Sequence, residues 1–373
     1  MCDRTRIATM RAALPDQQPA RRKLRANTLA FGHGIPCVAS APALRRHLHE
    51  LARIRFAPPS RNRHDPARLR PPRCRASRLL GRPAVDRPDV ADFNEQLELA
   101  ALADALGFRA LWIRDVPLNS ADYPDPVGHL DPWVLLGALA SRTRRIVLAS
   151  GAIVLPLRHP LHIAKGALSV ATLCGGRFIL GLGSGDRPPE YAAFGVDAET
   201  RRDRYRQHWE VVAAALGVPS RVLPDETPPD APDFTLLPRD TAAVPMLAVG
   251  SGGQSVDWIA RNAIGWMTYH RDPDTQRARH SMWRAAVERL PQPAFRAFGV
   301  SMRLDLDANR DAPATALSLG YATGRHALID ILHDMQAAGT HHVTLNPGSD
   351  RPVREIIEEI AEHVLPVFHD EQA

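Results

Sequence analysis

The sequence predicts an α/β fold, a (β/α)8 barrel of the TIM type, and three observations carry that expectation. From about residue 86 short apolar runs alternate with amphipathic stretches to the end of the chain, which implies parallel strands joined by helical crossovers. The apolar runs fall near residues 110, 147, 179, 247, 267, 299 and 343, seven strands that one more before residue 92 would complete to the barrel count. Glycines and charged residues cluster just after several of these runs, at the strand ends where β/α barrels bind ligands. A doubly wound open sheet is the alternative use of the same alternation.

Each element has its own signal. Asp92-x-x-Glu95 is a capping box, after which Leu99, Leu102, Ala103 and Leu106 share one helix face until Gly107 stops it. Ala110–Ile113 is a short strand. Asp131 followed by Pro132 sets an N-cap and a first-turn proline for a helix to about Ser141. Residues 145–156, RIVLASGAIVLP, read as one strand, Leu161–Leu173 as a helix and residues 176–185, GRFILGLGSG, as the next strand. Pro188-Pro189 argue against a helix starting at once after it, so the glycines of FILGLGSGDR do not make a dinucleotide fingerprint, which also needs glycine where Asp186 stands.

The second half continues the pattern. Glu199–Leu216 is a charged helix, and residues 217–243 form a proline-rich excursion with a short strand at Phe234–Leu237, placed to act as a lid. VPMLAVGSGG (244–253) is a strand entering a glycine loop, and Ser255–Asn262 a helix. GWMTYH (265–270) is a strand, Thr275–Leu290 a helix, FRAFGVSMRLDL (295–306) a long strand, Gly324–Ala338 a helix and HHVTLNP (341–347) a strand. Val353, Ile356, Ile357, Ile360, Ala361 and Val364 line one face of the last helix. Residues 117–130, 186–197, 217–243 and 307–323 read as the loops around a substrate.

Composition divides the 373 residues in two. The net charge of +6 hides a segment, residues 1–85, that holds 18 arginines and one lysine against four acids, whereas residues 86–373 are net acidic. Residues 1–85 read as an Arg/Pro-rich segment without periodicity, either unstructured or translated from a wrong start or shifted frame, with weak strands only at Asn27–Phe31 and Ile54–Ala57. Its arginines are scattered and lack interleaved aromatics, so no nucleic-acid partner is expected. Residues 86–373 are expected to form the barrel. The four cysteines include no C-x-x-C pair, so neither a metal site nor a disulfide framework is indicated and a reducing cytoplasm fits. No run of 18 apolar residues predicts a membrane span.

The chemistry gathers at strand ends. In VGSGGQS (249–255) the N–H groups of Ser251, Gly252, Gly253 and Gln254 can converge on a phosphate at a helix start, with Ser251 and Ser255 hydroxyls beside them; a βα turn with a serine cap is the plainer reading. Residues 148–197 resemble the bacterial luciferase-like, flavin-dependent monooxygenase superfamily, and residues 248–269, AVGSGGQSVDWIARNAIGWMTY, resemble its flavin-phosphate segment. The similarity runs from about residue 86 to the C-terminus and is greatest to a luciferase-type oxidoreductase subgroup. It implies a barrel that binds reduced FMN, or deazaflavin F420 in some branches. The phosphate then falls on Ser251, Gly252, Gly253, Gln254 and Ser255, and Gly183, Ser184 and Gly185 pass close to the cofactor. Ser150-Gly151-Ala152 matches the place where the family often has a non-proline cis peptide beneath the ring, so Gly151 and Ala152 join the cofactor set.

The implied function is a monooxygenase-type oxidoreductase acting with O2 on an unidentified small organic substrate, with a flavin reductase or NAD(P)H as electron source and a homodimer as the expected assembly. Many relatives carry a histidine just after the acidic residue ending the second strand, but here the motif is Arg114-Asp115-Val116. Asp115 is then a base or a strand-end cap, and His159 a proton carrier or a structural histidine; His129 and His270 are further candidates. Two other readings stay open: a pyridine-nucleotide dehydrogenase and a non-catalytic flavin-binding protein.

Overall fold

In the computed structural model, which describes residues 93–119, 129–217, 219–223, 234–238, 243–292, 294–348 and 351–368, strands and helices alternate along the chain. Helix α1 (Phe93–Ala105) ends at Gly107, whose φ of +88° suits glycine, and leads into β1 (Ala110–Ile113). The cap expected at Asp92 lies outside the described residues. Helix α2 (Pro132–Arg142) begins as its sequence dictates: Asp131 accepts the Trp133 N–H at 2.9 Å, and Pro132 supplies the fixed φ of a first turn. Then come β2 (Val147–Ser150), β3 (Ile153–Val154), α3 (Pro160–Leu173), β4 (Phe178–Gly183), α4 (Pro188–Ala193) and α5 (Arg201–Leu216). The remainder is β5 (Met246–Val249), α6 (Val256–Asn262), β6 (Gly265–Tyr269), α7 (Pro273–Glu288), β7 (Ala297–Leu306), β8 (Thr315–Leu317), β9 (Gly320–Thr323), α8 (Arg325–Ala337), β10 (His342–Pro347), α9 (Val353–His363) and α10 (Leu365–Phe368).

The strands pair in parallel in the order β1-β2-β4-β5-β6-β7-β10, and only the β8–β9 pair is antiparallel among the described residues. The order never reverses, which is the wall of a TIM-type barrel and not of a doubly wound sheet. All seven strands read from the sequence stand in this wall. The eighth, the two weak strand candidates and the boundary at residue 85 lie outside the described residues. Trp112 of β1 reaches His342 of β10, so the two ends of the run of strands meet through side chains.

Side-chain alternation sorts the core into two layers. On β4, Phe178, Leu180 and Leu182 face the helices, while Ile179 joins Val147, Ala149, Leu247 and Met267 inside the barrel. The next inward positions on β4 are Gly181 and Gly183. A methyl group at 181 would overlap the Ser150 carbonyl oxygen, and one at 183 would sit 3.0 Å from the Ala152 Cβ. The glycines are therefore required by the close approach of β2 and β3.

Four details differ from the sequence reading. Residues 145–156 are two strands: between the pairs Ala149↔Ile179 and Ile153↔Leu182, three residues on one side oppose two on the other. This bulge contains the cis Gly151–Ala152 peptide. Pro188 and Pro189 do not prevent a helix; they open α4, where first-turn N–H groups need no intrahelical acceptor. Phe234–Leu237 forms no strand, and Leu237 instead accepts a hydrogen bond from Lys165 of α3. Residues 307–323 hold the β8–β9 hairpin, with β9 lengthening the sheet beside the upper half of β7. No helix of the described residues is long and apolar enough to cross a membrane, and no cluster of three metal-ligating side chains occurs among them.

Candidate active site

A cavity of about 200 Å³ lies at the C-terminal ends of the parallel strands. Its wall includes Gly151 and Ala152 in the bulge, Gly183 at the end of β4 with Ser184 and Gly185 after it, and Gly250 after β5. A methyl group at Gly250 would meet nothing within 4 Å, so the chain there borders open space. Trp112, Val154, Val249 and Met267 add apolar surface. The Trp112 ring lies against Gly151, with Cε3 3.0 Å from where a Cβ would stand. Its Nε1–H donates to His342 Nε2 at 3.0 Å. Burial pushes the His342 pKa down to about 4, so the ring is neutral and carries its proton on Nδ1.

Asp115 is fully engaged. Arg158 donates from Nε and Nη2 to its two oxygens, each at 2.8 Å, and the Val154 N–H adds a third donor at 3.0 Å. The side chain is 1% exposed, and Arg158 also reaches Asp131 at 3.1 Å. The hydrogen bond to Asp115 raises the Arg158 pKa, which keeps the guanidinium charged. The carboxylate thus ties the end of β1 to β3 and to the start of α2.

The structure does not bring His159 to the cavity. It is exposed at the start of α3, where its Nδ1 accepts the Leu161 N–H at 3.3 Å, and its ring lies beside His162. A helix start offers unpaired N–H groups, and this imidazole serves one of them. His129 borders a neighbouring cavity of about 280 Å³ that shares Asp115, Val116 and Val154 with the first. His270 is buried beyond β6 against the Tyr321 ring, and burial lowers its pKa.

Three residues that line the cavity each carry a buried polar atom without a hydrogen-bond partner: Glu190 Oε1, Thr268 Oγ1 and Thr344 Oγ1. Glu190, on α4, is 6% exposed, and burial raises its pKa despite the nearby Arg187. Sequence reasoning missed these three and Trp112. Trp112 and Thr344 sit at inward positions of strands already read correctly, whereas Thr268 follows the inward Met267 and by alternation takes the helix-facing side with Trp266. Glu190 was hidden by the two prolines.

The phosphate loop stands beside the cavity and does not line it. Gly252 and Gly253 adopt φ of +56° and +75°, with the Tyr205 ring packed against the first and Arg202 against the second. Gln254 N–H donates to Ser251 O at 2.9 Å and Gly253 N–H to Ser251 Oγ at 3.3 Å. The Gln254 side chain turns to Arg202 O and Gly252 O, and Ser255 Oγ caps α6 by accepting the Trp258 N–H. Of the four N–H groups expected to converge, two are therefore taken within the turn.

Parallel strands in unreversed order, with a cavity at their C-terminal ends, define the β/α-barrel class. The chain belongs to the luciferase-like monooxygenase family, whose model matches residues 75–358. It is 30% identical over 180 residues to the F420-dependent glucose-6-phosphate dehydrogenase of Beutenbergia cavernae, covering 47% of this chain and 52% of that one. Its fold is similar to monooxygenase RslO1 from Streptomyces bottropensis, with a TM-score of 0.62 and 22% identity over 74% of this chain and 94% of that one. It is also similar in fold to the oxygenating constituent of 3,6-diketocamphane monooxygenase of Pseudomonas putida, solved with FMN, with a TM-score of 0.56 and 15% identity over 74% and 92%.

Proposed function

We propose that this chain is a flavin-dependent oxidoreductase of monooxygenase type, which binds reduced FMN or deazaflavin F420 together with a small organic substrate at the barrel mouth. One observation carries the reading. Glu190 and Thr344, each with a buried oxygen that has no hydrogen-bond partner, line one cavity together with Gly151, Gly183, Gly185 and Gly250. Buried polar atoms are nearly always satisfied, so this cluster suits a ligand with polar edges and a flat body. Such a ligand fits the flavin class, and the relative named for F420 and the fold neighbour solved with FMN support both members of it.

When bound, the cofactor supplies the two-electron chemistry. The chain's residues bind and orient. Gly151, Ala152, Gly183, Ser184 and Gly185 admit the ring, and Ser251, Gly252, Gly253, Gln254 and Ser255 flank the phosphate end. Asp115, held by three donors, positions β1 against β3. We further assign the barrel to residues 86–373, leaving residues 1–85 outside it, with a cytoplasmic location, a homodimeric assembly and electrons from a flavin reductase or NAD(P)H. The test is to titrate the full chain with FMN and with F420 by fluorescence, then follow reoxidation of the reduced cofactor with and without O2. Binding of one cofactor and substrate-dependent O2 uptake are expected. Binding of neither overturns the reading, and turnover indifferent to O2 replaces the monooxygenase part with hydride transfer.

A further inference from the structure

Beside the candidate cofactor cavity lies the second one, of about 280 Å³, and Asp115, Val116 and Val154 line both. Its wall is drawn from the ends of neighbouring elements. Val116 and Pro117 follow β1, Val154 ends β3, Leu157 closes the short turn at Leu155–Leu157, Leu130 precedes α2 and Phe194 follows α4. With Pro132 these residues make the lining largely apolar. Phe194 is 45% exposed, so the apolar wall reaches the protein surface.

We propose that this second cavity selects the substrate: it takes an uncharged alkyl or aryl group of the molecule whose reacting end lies in the first cavity, with Val116 and Val154 as the wall common to both. The inference rests on the cofactor reading above. Size is the first argument. An apolar cavity of about 150 Å³ holds a single benzene ring. On that scale the first cavity, at about 200 Å³, is filled by a flavin-class ring, and the bulk of a substrate needs space outside it. The second cavity adjoins it and takes a group of about ten carbon atoms on the same scale.

Charge is the second argument. Arg158 is the one permanently cationic side chain among the described residues of this lining. It donates to both oxygens of Asp115 and again to Asp131, so two carboxylates already share its charge. The other Asp131 oxygen accepts the Trp133 N–H. A carboxylate or phosphate entering here would meet an excess of negative charge and no unshared cation, whereas an apolar group meets a matching wall.

The probes are 4-phenylbutan-1-ol and 4-phenylbutanoate, alike in size, one neutral and one a carboxylate. Their affinities are read by calorimetry on the full chain, with and without whichever of FMN or F420 binds. The alcohol is expected to bind, and the carboxylate about 10-fold more weakly or worse. Leu157→Trp fills the second cavity and touches no residue position of the first. It should weaken the alcohol about 10-fold or more while cofactor affinity and thermal midpoint match wild type. Leu130→Trp makes the same test should Leu157→Trp not fold. Val116→Phe, in the common wall, should weaken alcohol and cofactor together. No binding of the alcohol, equal binding of the carboxylate, or full alcohol affinity in the folded tryptophan variants or in Val116→Phe would each overturn the proposal. Failure of both cofactors to bind would instead remove the reading beneath it, while alcohol binding lost in Leu157→Trp would still establish the apolar chamber.

Discussion

Trp112 and His342 join the first and last described strands of the barrel wall by one hydrogen bond, Nε1–H to Nε2 at 3.0 Å. Only the neutral imidazole can accept it. The His342 pKa is depressed from 6.5 in the unfolded range to about 4 in the fold, so the unfolded chain takes up a proton first on acidification. Stability contributed by this residue is complete above about pH 6.5 and is lost as pH falls towards 4. Chemical denaturation across that window should show a decline that is smaller in His342→Gln, which accepts without titrating. An equal slope in both proteins would contradict the prediction.

Asp115→Asn should destabilise the fold by about 2–3 kcal/mol, because an amide cannot take both Arg158 donors and a largely buried guanidinium is left half-paired. Thermal unfolding checks this. Were Asp115 a proton donor in catalysis, the same variant would instead lose activity while keeping its midpoint.

Gly181→Ala places a methyl group on the Ser150 carbonyl oxygen, a backbone atom that cannot rotate away. The expected cost is about 3 kcal/mol or more, seen as a lowered urea midpoint or as insoluble expression. Gly107→Ala provides the contrast, since a methyl group there meets nothing within 4 Å and only the positive φ opposes it, at about 1 kcal/mol.

Asp104 anchors the turn before β2 by accepting the N–H groups of Arg144, Arg145 and Ile146 at 2.7, 2.9 and 2.6 Å. Burial acts to raise its pKa, but the three donors outweigh it and hold the carboxyl below its usual 3.8. Its contribution is therefore present above that value and disappears as pH falls through the lower folded value. Asp104→Ala should cost about 3 kcal/mol at neutral pH and flatten the acid limb of the stability curve.

The wall of the barrel was legible in the sequence because each strand is an apolar run and each helix carries its own start signal, Asp131-Pro132 being the plainest. The bulge at residues 150–152 was not, since RIVLASGAIVLP is apolar throughout and nothing in it marks where pairing shifts. The prolines at 188 and 189 misled because their effect depends on position: they break a helix from within but open one at its first turn. In the site, glycines announced where backbone would border the cavity. The buried carboxyl and hydroxyls did not announce themselves, because a glutamate or threonine becomes distinctive only when packing denies it a partner.

The bulge also resets the parity of the chain. Before it, odd-numbered residues Val147 and Ala149 point into the barrel; after it, the even-numbered Val154 lines the cavity while Ile153 packs among the helices. Anyone reshaping the substrate chamber should therefore vary 154 and leave 153 alone, the opposite of what counting by twos from 147 would suggest. The same offset must be respected when this segment is grafted from one relative to another, because three residues between Ala149 and Ile153 oppose only two between Ile179 and Leu182, and a segment without the extra residue numbers its inward positions differently.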